Sequence, residues 1–318
     1  MDVATVDLSR NDPAARRDLL AAARDVGCFR VTGHAVPRSV TAEILAITRR
    51  LFALPRERLR EVENVKSPQF RGYSRVGGEH TRGRPDWREQ FDVGPERPPL
   101  DLGPDDPPYL RLIGPNQWPT ALPELRSTVL AWQDALQAVG VQVLRTLAAI
   151  LGQQPSWVDR WFDDQAAVYL KLLHYPGRAE TGDRQGIGVH RDYGYLGLLQ
   201  HDDVGGLQVR TRDERWLDVP PRPGDFVVTI GEMLERATGG YLRAAPHRVI
   251  SPPDGRDRYS AAFFLAPRLD AVVEPMHLPP GLAQPVSADR QCAYGESALA
   301  GWLRSHPNVV ERWYRAVP

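Results

Sequence analysis

The sequence predicts a mixed α+β chain: a jelly-roll core of short strands flanked by helices. Helical spacing of apolar residues dominates the first half, up to about residue 151. After about residue 165 the apolar runs shorten and are parted by Pro, Gly and Asp turns. Many short strands without a long β repeat point to a closed or double-sheet architecture. At 318 residues with 42% hydrophobic content, the chain can bury one large core with extensions.

In chain order, residues 13–26 read as a helix, with Pro13 in its first turn and Gly27 after its end. Cys28–Thr32 is a strand candidate, and Arg38–Ala53 a second helix with Ile44, Ile47 and Leu51 near helical spacing. Residues 66–120 are Pro- and Gly-rich and weakly periodic, the texture of a long functional loop. Leu122–Leu151 is the longest helix, its buried stripe running through Leu125, Val129, Trp132, Leu136, Val139, Val143, Leu147 and Ile150 until Gly152 stops it. Strands are expected at Val168–Tyr175, Tyr195–Gln200, Gly206–Arg210, Asp225–Ile230, His247–Ser251 and Tyr259–Leu265. The chain thus divides into a helical and loop cap region (1–120), a supporting helix (121–160), a strand core (161–270) and a C-terminal lid segment (271–318).

Forty basic residues balance forty acidic ones, which argues against nucleic acid or an anionic membrane as partner. Cys28 and Cys292 form neither a disulfide framework nor a C-x-x-C motif, as expected in a reducing cytoplasm. The N-terminus, with Asp2, Asp7 and Arg10, lacks a signal-peptide core. No apolar run approaches the roughly 20 residues of a membrane helix.

The chemistry concentrates in His190-Arg191-Asp192, His247 and Arg258-Tyr259-Ser260. On a strand, His190 and Asp192 project to one face, so both reach a single metal. With His247 they make a 2-His-1-carboxylate set, which leaves positions open on non-haem Fe(II) for a cosubstrate and O2. A lone histidine reads better as a core imidazole satisfied by backbone carbonyls; the ordered motifs together argue for ligands. If HRVIS and RYSAAFFL pair as a hairpin through PPDG, Arg258 lies on the order of 10 Å from His247. That distance suits a dicarboxylate chelating the metal at one end and meeting a guanidinium at the other. Ser260 faces the same side; the duller reading pairs Arg258 with Asp254 or Asp257 on the surface. His174 should face away from the site, His201 should be solvated in the HDDVGG turn, Asp202-Asp203 reads as turn chemistry, and His34 and His80 are not expected to be ligands.

These motifs resemble the Fe(II)/2-oxoglutarate dioxygenase superfamily, in particular its isopenicillin N synthase-like branch. The resemblance runs through GCFRVTGHAVP, IGVHRDYGYLGLLQHDDVGGLQV and VPPRPGDFVVTIGEMLERATGGYLRAAPHRVISPPDGRDRYSAAFFLAP. It implies a double-stranded β-helix core, His190, Asp192 and His247 as iron ligands, and Arg258 and Ser260 at the distal carboxylate of 2-oxoglutarate. Tyr175 matches the tyrosine of the branch's N-x-Y element, whose asparagine is replaced by Leu173, leaving the grip on the inner carboxylate undefined. The implied cofactors are Fe(II), 2-oxoglutarate and O2. The implied reaction is hydroxylation, or desaturation or cyclisation, of a small molecule with release of succinate and CO2. Asp192 argues against halogenation, which in related enzymes uses a vacated carboxylate position. The alternatives are a 2-oxoglutarate-independent oxidase of the isopenicillin N synthase type and a non-catalytic metal-binding protein on the same scaffold. Substrate contacts are expected from Arg71–Glu79, Trp87–Phe91 and 294–318, with Glu79, Tyr193, Tyr73 and Phe264 as named candidates; Glu79 would meet a substrate cation or lie solvated in its loop.

Overall fold

The computed structural model describes residues 2–154, 156–178, 185–253, 255–282 and 293–315. Cys292, Asp254 and residues 283–292 and 316–318 of the expected lid segment lie outside the described residues.

Helix α1 (Pro13–Asp25) starts where the Asp12 carboxylate accepts from the N–H groups of Ala14 and Ala15. A cap of this kind is worth about 1 kcal/mol. Helices α2 (Arg38–Phe52), α3 (Arg56–Glu61) and α4 (Glu124–Ile150) follow, then the single turn α5 (Ser156–Asp159). The α4 stripe from Leu125 to Leu147 is buried as its spacing predicts, with Ile150 only partly covered. Trp132 is a core residue whose Nε1 donates to Gln200 Oε1 at 3.1 Å. Gly140 lets α4 approach the sheet, since a Cβ there would lie 3.2 Å from Leu265 Cδ2 and 3.3 Å from Leu198 Cδ1.

The fourteen described strands are β1 (Thr5–Asp7), β2 (Cys28–Thr32), β3 (Gly72–Ser74), β4 (His80–Thr81), β5 (Arg84–Pro85), β6 (Glu89–Val93), β7 (Tyr169–Tyr175), β8 (Gln185–His190), β9 (Leu196–His201), β10 (Leu207–Arg210), β11 (Trp216–Asp218), β12 (Phe226–Ile230), β13 (His247–Ile250) and β14 (Arg258–Leu265). The major sheet runs β1-β2-β12-β9-β14-β7-β6-β3, the minor sheet β11-β10-β13-β8, and β4 and β5 form a separate hairpin. Helix α6 (Glu232–Ala237) follows β12, and α7 (Tyr294–Ser305) and α8 (Pro307–Trp313) close the described chain. This is the double-stranded β-helix the resemblance implies. No helix among the described residues is long and apolar enough to cross a membrane.

Apolar side chains pack in two layers. Leu172, Leu198, Val228, Ala261 and Phe263 belong to the cluster that also holds the α4 stripe, while Leu173, Tyr175, Val227 and Ala262 cluster with Ile187, Leu207, Val209 and Val249 of the minor sheet. Successive residues of one strand point to opposite faces, and here both faces are covered, so these strands read as unbroken apolar runs. The functional site opens within the second layer, between the sheets.

Two expectations are corrected. First, β13 and β14 do not form a hairpin: β13 pairs with β10 and β8, and β14 with β7 and β9. Ser251–Asp257 is long enough to cross between sheets, and both edges of each strand are already paired. Second, residues 66–120 are not simply irregular, because β3 and β6 extend the major sheet. Strand β6 lacks an apolar run because Gln90 and Asp92 are buried alongside Phe91 and Val93. Asp92 accepts from Lys171 Nζ at 2.6 Å and from Gln90 Nε2 at 2.8 Å.

His174 on the outer side of β7 gives the fold a pH dependence. Its Nδ1 lies 2.6 Å from Glu89 Oε1 and its Nε2 3.1 Å from Asp257 Oδ2, with the ring stacked on Tyr259. Burial lowers its pKa, but the Glu89 and Asp257 carboxylates more than offset this and raise it. The imidazolium therefore stabilises the fold fully below the unfolded value of about 6.5, and that contribution is lost as pH rises through the higher folded pKa. Denaturant midpoints measured across this window should fall with rising pH, and His174→Gln should flatten the slope. An identical slope in the variant would contradict the assignment.

Candidate metal centre

His190 ends β8, and His247 stands opposite it in register at the start of β13. Asp192 is not on the strand; it lies in the turn after β8, so alternation along one strand is not what aims it. Its position is set from elsewhere: Thr229 Oγ1 donates to Asp192 Oδ2 at 2.6 Å, and the Glu232 N–H donates to the Asp192 carbonyl at 2.8 Å. The other oxygen, Oδ1, lies 3.9 Å from His190 Nε2 and 3.7 Å from His247 Nε2. One ligand atom from each of the three residues falls within 4.8 Å of the others.

The tautomers follow from the backbone. His190 Nδ1 lies 2.9 Å from the Gly188 carbonyl and His247 Nδ1 3.0 Å from that of Ala245. A carbonyl only accepts, so each Nδ1 carries the proton and each Nε2 lone pair faces the shared space. Burial, and then the charge of neighbouring His247, holds the His190 pKa well below the ordinary histidine value, keeping the ring neutral and able to ligate. Two neutral imidazoles and one carboxylate oxygen suit Fe(II).

The surroundings of Asp192 are tight. A Cβ on Gly197 would stand 2.7 Å from Asp192 Oδ2 and closer still to Thr229 Oγ1. Partners behind metal ligands typically matter about 10–100-fold in metal affinity. Thr229→Val, which keeps shape but removes the donor, is expected to weaken Fe(II) binding by about that factor. Equilibrium dialysis checks this, and unchanged affinity would mean that Thr229 does not orient Asp192.

Arg258 is fully buried, and Nη1 donates to Ser260 Oγ at 3.0 Å. Its Nε and Nη2 have no hydrogen-bond partner, and it forms no ion pair among the described residues. Asp257 is instead turned to His174 and to the Gly177 N–H, while Asp254 lies outside the described residues. Burial lowers the Arg258 pKa. A buried cation without a counter-ion is destabilising by several kcal/mol. A ligand carboxylate satisfies the charge and takes hydrogen bonds from the free Nε and Nη2 donors, so the site fits an anionic cosubstrate. The guanidinium lies over the Tyr175 ring, 5.1 Å from its centroid, and Arg88 Nη1 donates to the Tyr175 hydroxyl at 3.3 Å. Tyr175 and Leu173 line the cavity that holds the three ligands, Leu173 with only an apolar side chain, whereas Arg258 and Ser260 are not among its lining residues.

That cavity measures about 940 Å³ and contains the three ligands. Of the candidate substrate residues, Glu79, Tyr193 and Phe264 line it. Tyr73 is not among the lining residues; its hydroxyl donates to Glu89 Oε2 at 2.5 Å. Glu79 is not solvated either. It is 9% exposed, accepts from Arg88 Nη2, and lies 3.4 Å from Lys171 Nζ. Burial raises its pKa, but the Arg88 and Lys171 cations more than offset this and hold it below the carboxylate range. Internal cations thus occupy the place expected for a substrate cation.

His201 is half-buried beside Ser260 rather than solvated, and burial followed by the Arg258 charge lowers its pKa to about 3. Asp202 does serve as a turn residue, accepting from the Val204 N–H. His34 reaches the Gly224 carbonyl, and His80 lines the cavity without joining the ligand cluster. Cys28 is buried, which pushes its thiol up to about 12.

Arg88, Trp302 and Arg304 line the cavity from within the expected ranges Trp87–Phe91 and 294–318, whereas Thr229 and Lys171 lie outside every range expected at this site. Two carried a signal: Lys171 is the one charge within YLKLLHY and Thr229 the one hydroxyl within FVVTI. Trp302 and Arg304 come from α7, where Tyr294, Ala298, Leu299 and Trp302 keep helical spacing despite Gly295 and Gly301.

Residues 2–121 match the family described as non-haem dioxygenase in morphine synthesis N-terminal, and residues 163–267 match the 2OG-Fe(II) oxygenase superfamily. A 2-oxoglutarate-dependent dioxygenase from Dothideomycetidae sp. is 33% identical over 334 residues, covering 97% of this chain and 90% of the relative. A homoarginine-6-hydroxylase from Glycine max is 31% identical over 290 residues, covering 88% and 86%. The crystal structure of a full-length Neurospora crassa protein in complex with α-ketoglutarate and thymine superposes with a TM-score of 0.77 at 25% identity, covering 92% of this chain and 94% of that one. Such matches span both halves of the chain, and the same chain brings two Nε2 lone pairs and one carboxylate oxygen together and carries a buried arginine without an ion pair among the described residues. The chain belongs to the 2-oxoglutarate/Fe(II) oxygenase superfamily, with His190, Asp192 and His247 as its facial triad.

Proposed function

We propose that this dioxygenase hydroxylates a C–H bond of a small molecule. One oxygen atom of O2 enters the product and the other enters succinate as 2-oxoglutarate loses CO2. The observation that carries this reading is Arg258, a fully buried guanidinium whose Nε and Nη2 lack partners among the described residues. An oxidase needing no 2-oxoglutarate could retain the same arginine for a carboxylate of its substrate, so succinate formed per turnover separates the two readings. Asp192 remains a carboxylate, which supports oxygen rather than halogen transfer.

When bound, Fe(II) and 2-oxoglutarate supply the O2 activation and the oxidising equivalents. The chain's own residues bind and orient. Arg258 takes the distal carboxylate. It can only donate, so Ser260 Oγ accepts from it and keeps its own proton for that carboxylate. By the same logic Arg88 donates to the Tyr175 oxygen, which leaves the phenolic proton to point at the cosubstrate. Tyr193 and Phe264 contact the substrate. Glu79 keeps Arg88 and Lys171 neutralised in the cavity wall.

A metabolite-library screen scored by substrate-stimulated succinate formation tests the reading. One succinate should appear for each oxidised product. Product formed without consumption of 2-oxoglutarate would identify an oxidase of the isopenicillin N synthase type instead. Absence of O2 uptake with Fe(II), 2-oxoglutarate and every compound would favour a binding protein.

A further inference from the structure

Building on the reading of this cavity as the place where a small molecule is oxidised, we propose that the substrate carries a carboxylate, held at the cavity mouth by Arg304 and Arg82. The charges of the wall lead to these two residues. Arg88 and Lys171 are neutralised by Glu79 and Asp92, Arg191 lies 3.2 Å from Glu235, and Arg210 lies 2.9 Å from Glu214. Arg82 and Arg304 also line the cavity, and neither has an ion pair among the described residues.

Exposed arginines on open surface are common and mean little. These two are placed. Arg304 donates through Nη2 to the Tyr193 hydroxyl, and its Cζ lies 5.7 Å from the Tyr193 ring centroid, which fixes the guanidinium against the residue that follows the ligand Asp192. Arg82 and Gly83 are the central residues of the β4–β5 hairpin, with φ of 52° and 77°. Two-residue hairpins require left-handed φ there and normally take Asn, Asp or Gly at the first position. Arginine holds that position against its steric preference, and such departures gather at binding sites. The hairpin strand β4 packs against both α7 and β8, so Arg82 and Arg304 belong to adjoining elements of one rim.

The polarity of the cavity orients such an anion. Glu232 is the lining carboxylate without an ion pair or hydrogen bond among the described residues, and its N–H donates to the Asp192 carbonyl, which places it on the metal side. A substrate carboxylate is repelled from that end and attracted to the arginine rim. Between them the wall offers aromatic surface: Tyr169 and Phe264 stack with centroids 4.4 Å apart, beside Tyr294 and Trp302. An acid with an apolar body would therefore lie with its carboxylate outward and its C–H bonds toward the triad.

The test uses full-length protein loaded with Zn(II) in place of Fe(II), so that binding is read without turnover. Calorimetry compares 4-phenylbutanoate and decanoate with their primary amides, in wild type and in the Arg304→Gln/Arg82→Asn double variant. Each acid should bind wild type about ten-fold tighter than its amide, and the preference should vanish in the double variant. Acids that bind no better than their amides to wild type, strongly or not at all, overturn the proposal, as does a preference that survives the double variant. Titration of 2-oxoglutarate into the same preparations keeps the two readings apart. It should be equal in both proteins, and its failure in wild type would count against the oxygenase assignment, not against the arginine rim.

Discussion

Asp192→Ala is expected to abolish Fe(II)-dependent turnover while leaving the fold intact. The side chain accepts one hydrogen bond, from Thr229 Oγ1, and its remaining oxygen faces the two imidazoles. Thr229 Oγ1 already lies 3.5 Å from the Gly197 carbonyl and can turn to it when the carboxylate is gone. In the metal-free protein the substitution also removes a buried negative charge, which limits any loss of stability. A residue behind the ligands is worth about 10–100-fold in metal affinity, so loss of a ligand itself should exceed about 100-fold. His190→Ala and His247→Ala should behave alike, since each ring spends its other nitrogen on a backbone carbonyl. Metal content, turnover and thermal melting, measured together, check the expectation. Full activity in Asp192→Ala would rule out the triad.

Arg258→Met should act in opposite directions on stability and on cosubstrate binding. Hydrogen bonds to a charged group contribute about 1.5–3 kcal/mol, so 2-oxoglutarate affinity should fall by about ten-fold or more. The protein without cosubstrate should not be destabilised, because methionine fills similar volume and a buried cation without an anion is removed. In wild type, 2-oxoglutarate should raise the melting temperature; in the variant this rise should largely disappear. Unchanged 2-oxoglutarate affinity would move the distal carboxylate site elsewhere.

The sequence made the fold legible where apolar periodicity was strong. The α4 stripe and the strands β7, β9, β12 and β14 are continuous enough to identify and are buried as expected. The ligand triad was legible because its residue types and order are chemically restrictive. Sheet membership was not: nothing in HRVIS or RYSAAFFL says that the two strands lie in different sheets, since each is a short apolar segment whose partner strands lie elsewhere in the chain. Strand β6 hid its burial behind Gln90 and Asp92; Asp92 is paired with Lys171 on the neighbouring strand β7, which is far away in the sequence. Glu79 misled for the same reason. Its loop looks solvated until Arg88, just ahead of β6, and Lys171 on β7 come against it. Long-range charge pairing leaves no periodic trace in the sequence.

The central claim is that one iron, held by His190, Asp192 and His247, takes 2-oxoglutarate anchored by Arg258. Anaerobic titration of the Fe(II)-loaded protein with 2-oxoglutarate, followed by the charge-transfer absorption of the chelate, tests it most directly. Wild type should develop a saturable band with one 2-oxoglutarate per iron. Arg258→Met should saturate only at about ten-fold higher 2-oxoglutarate or beyond, and Asp192→Ala should give little or no band. No band in wild type, or the same titration curve in all three proteins, would contradict the account.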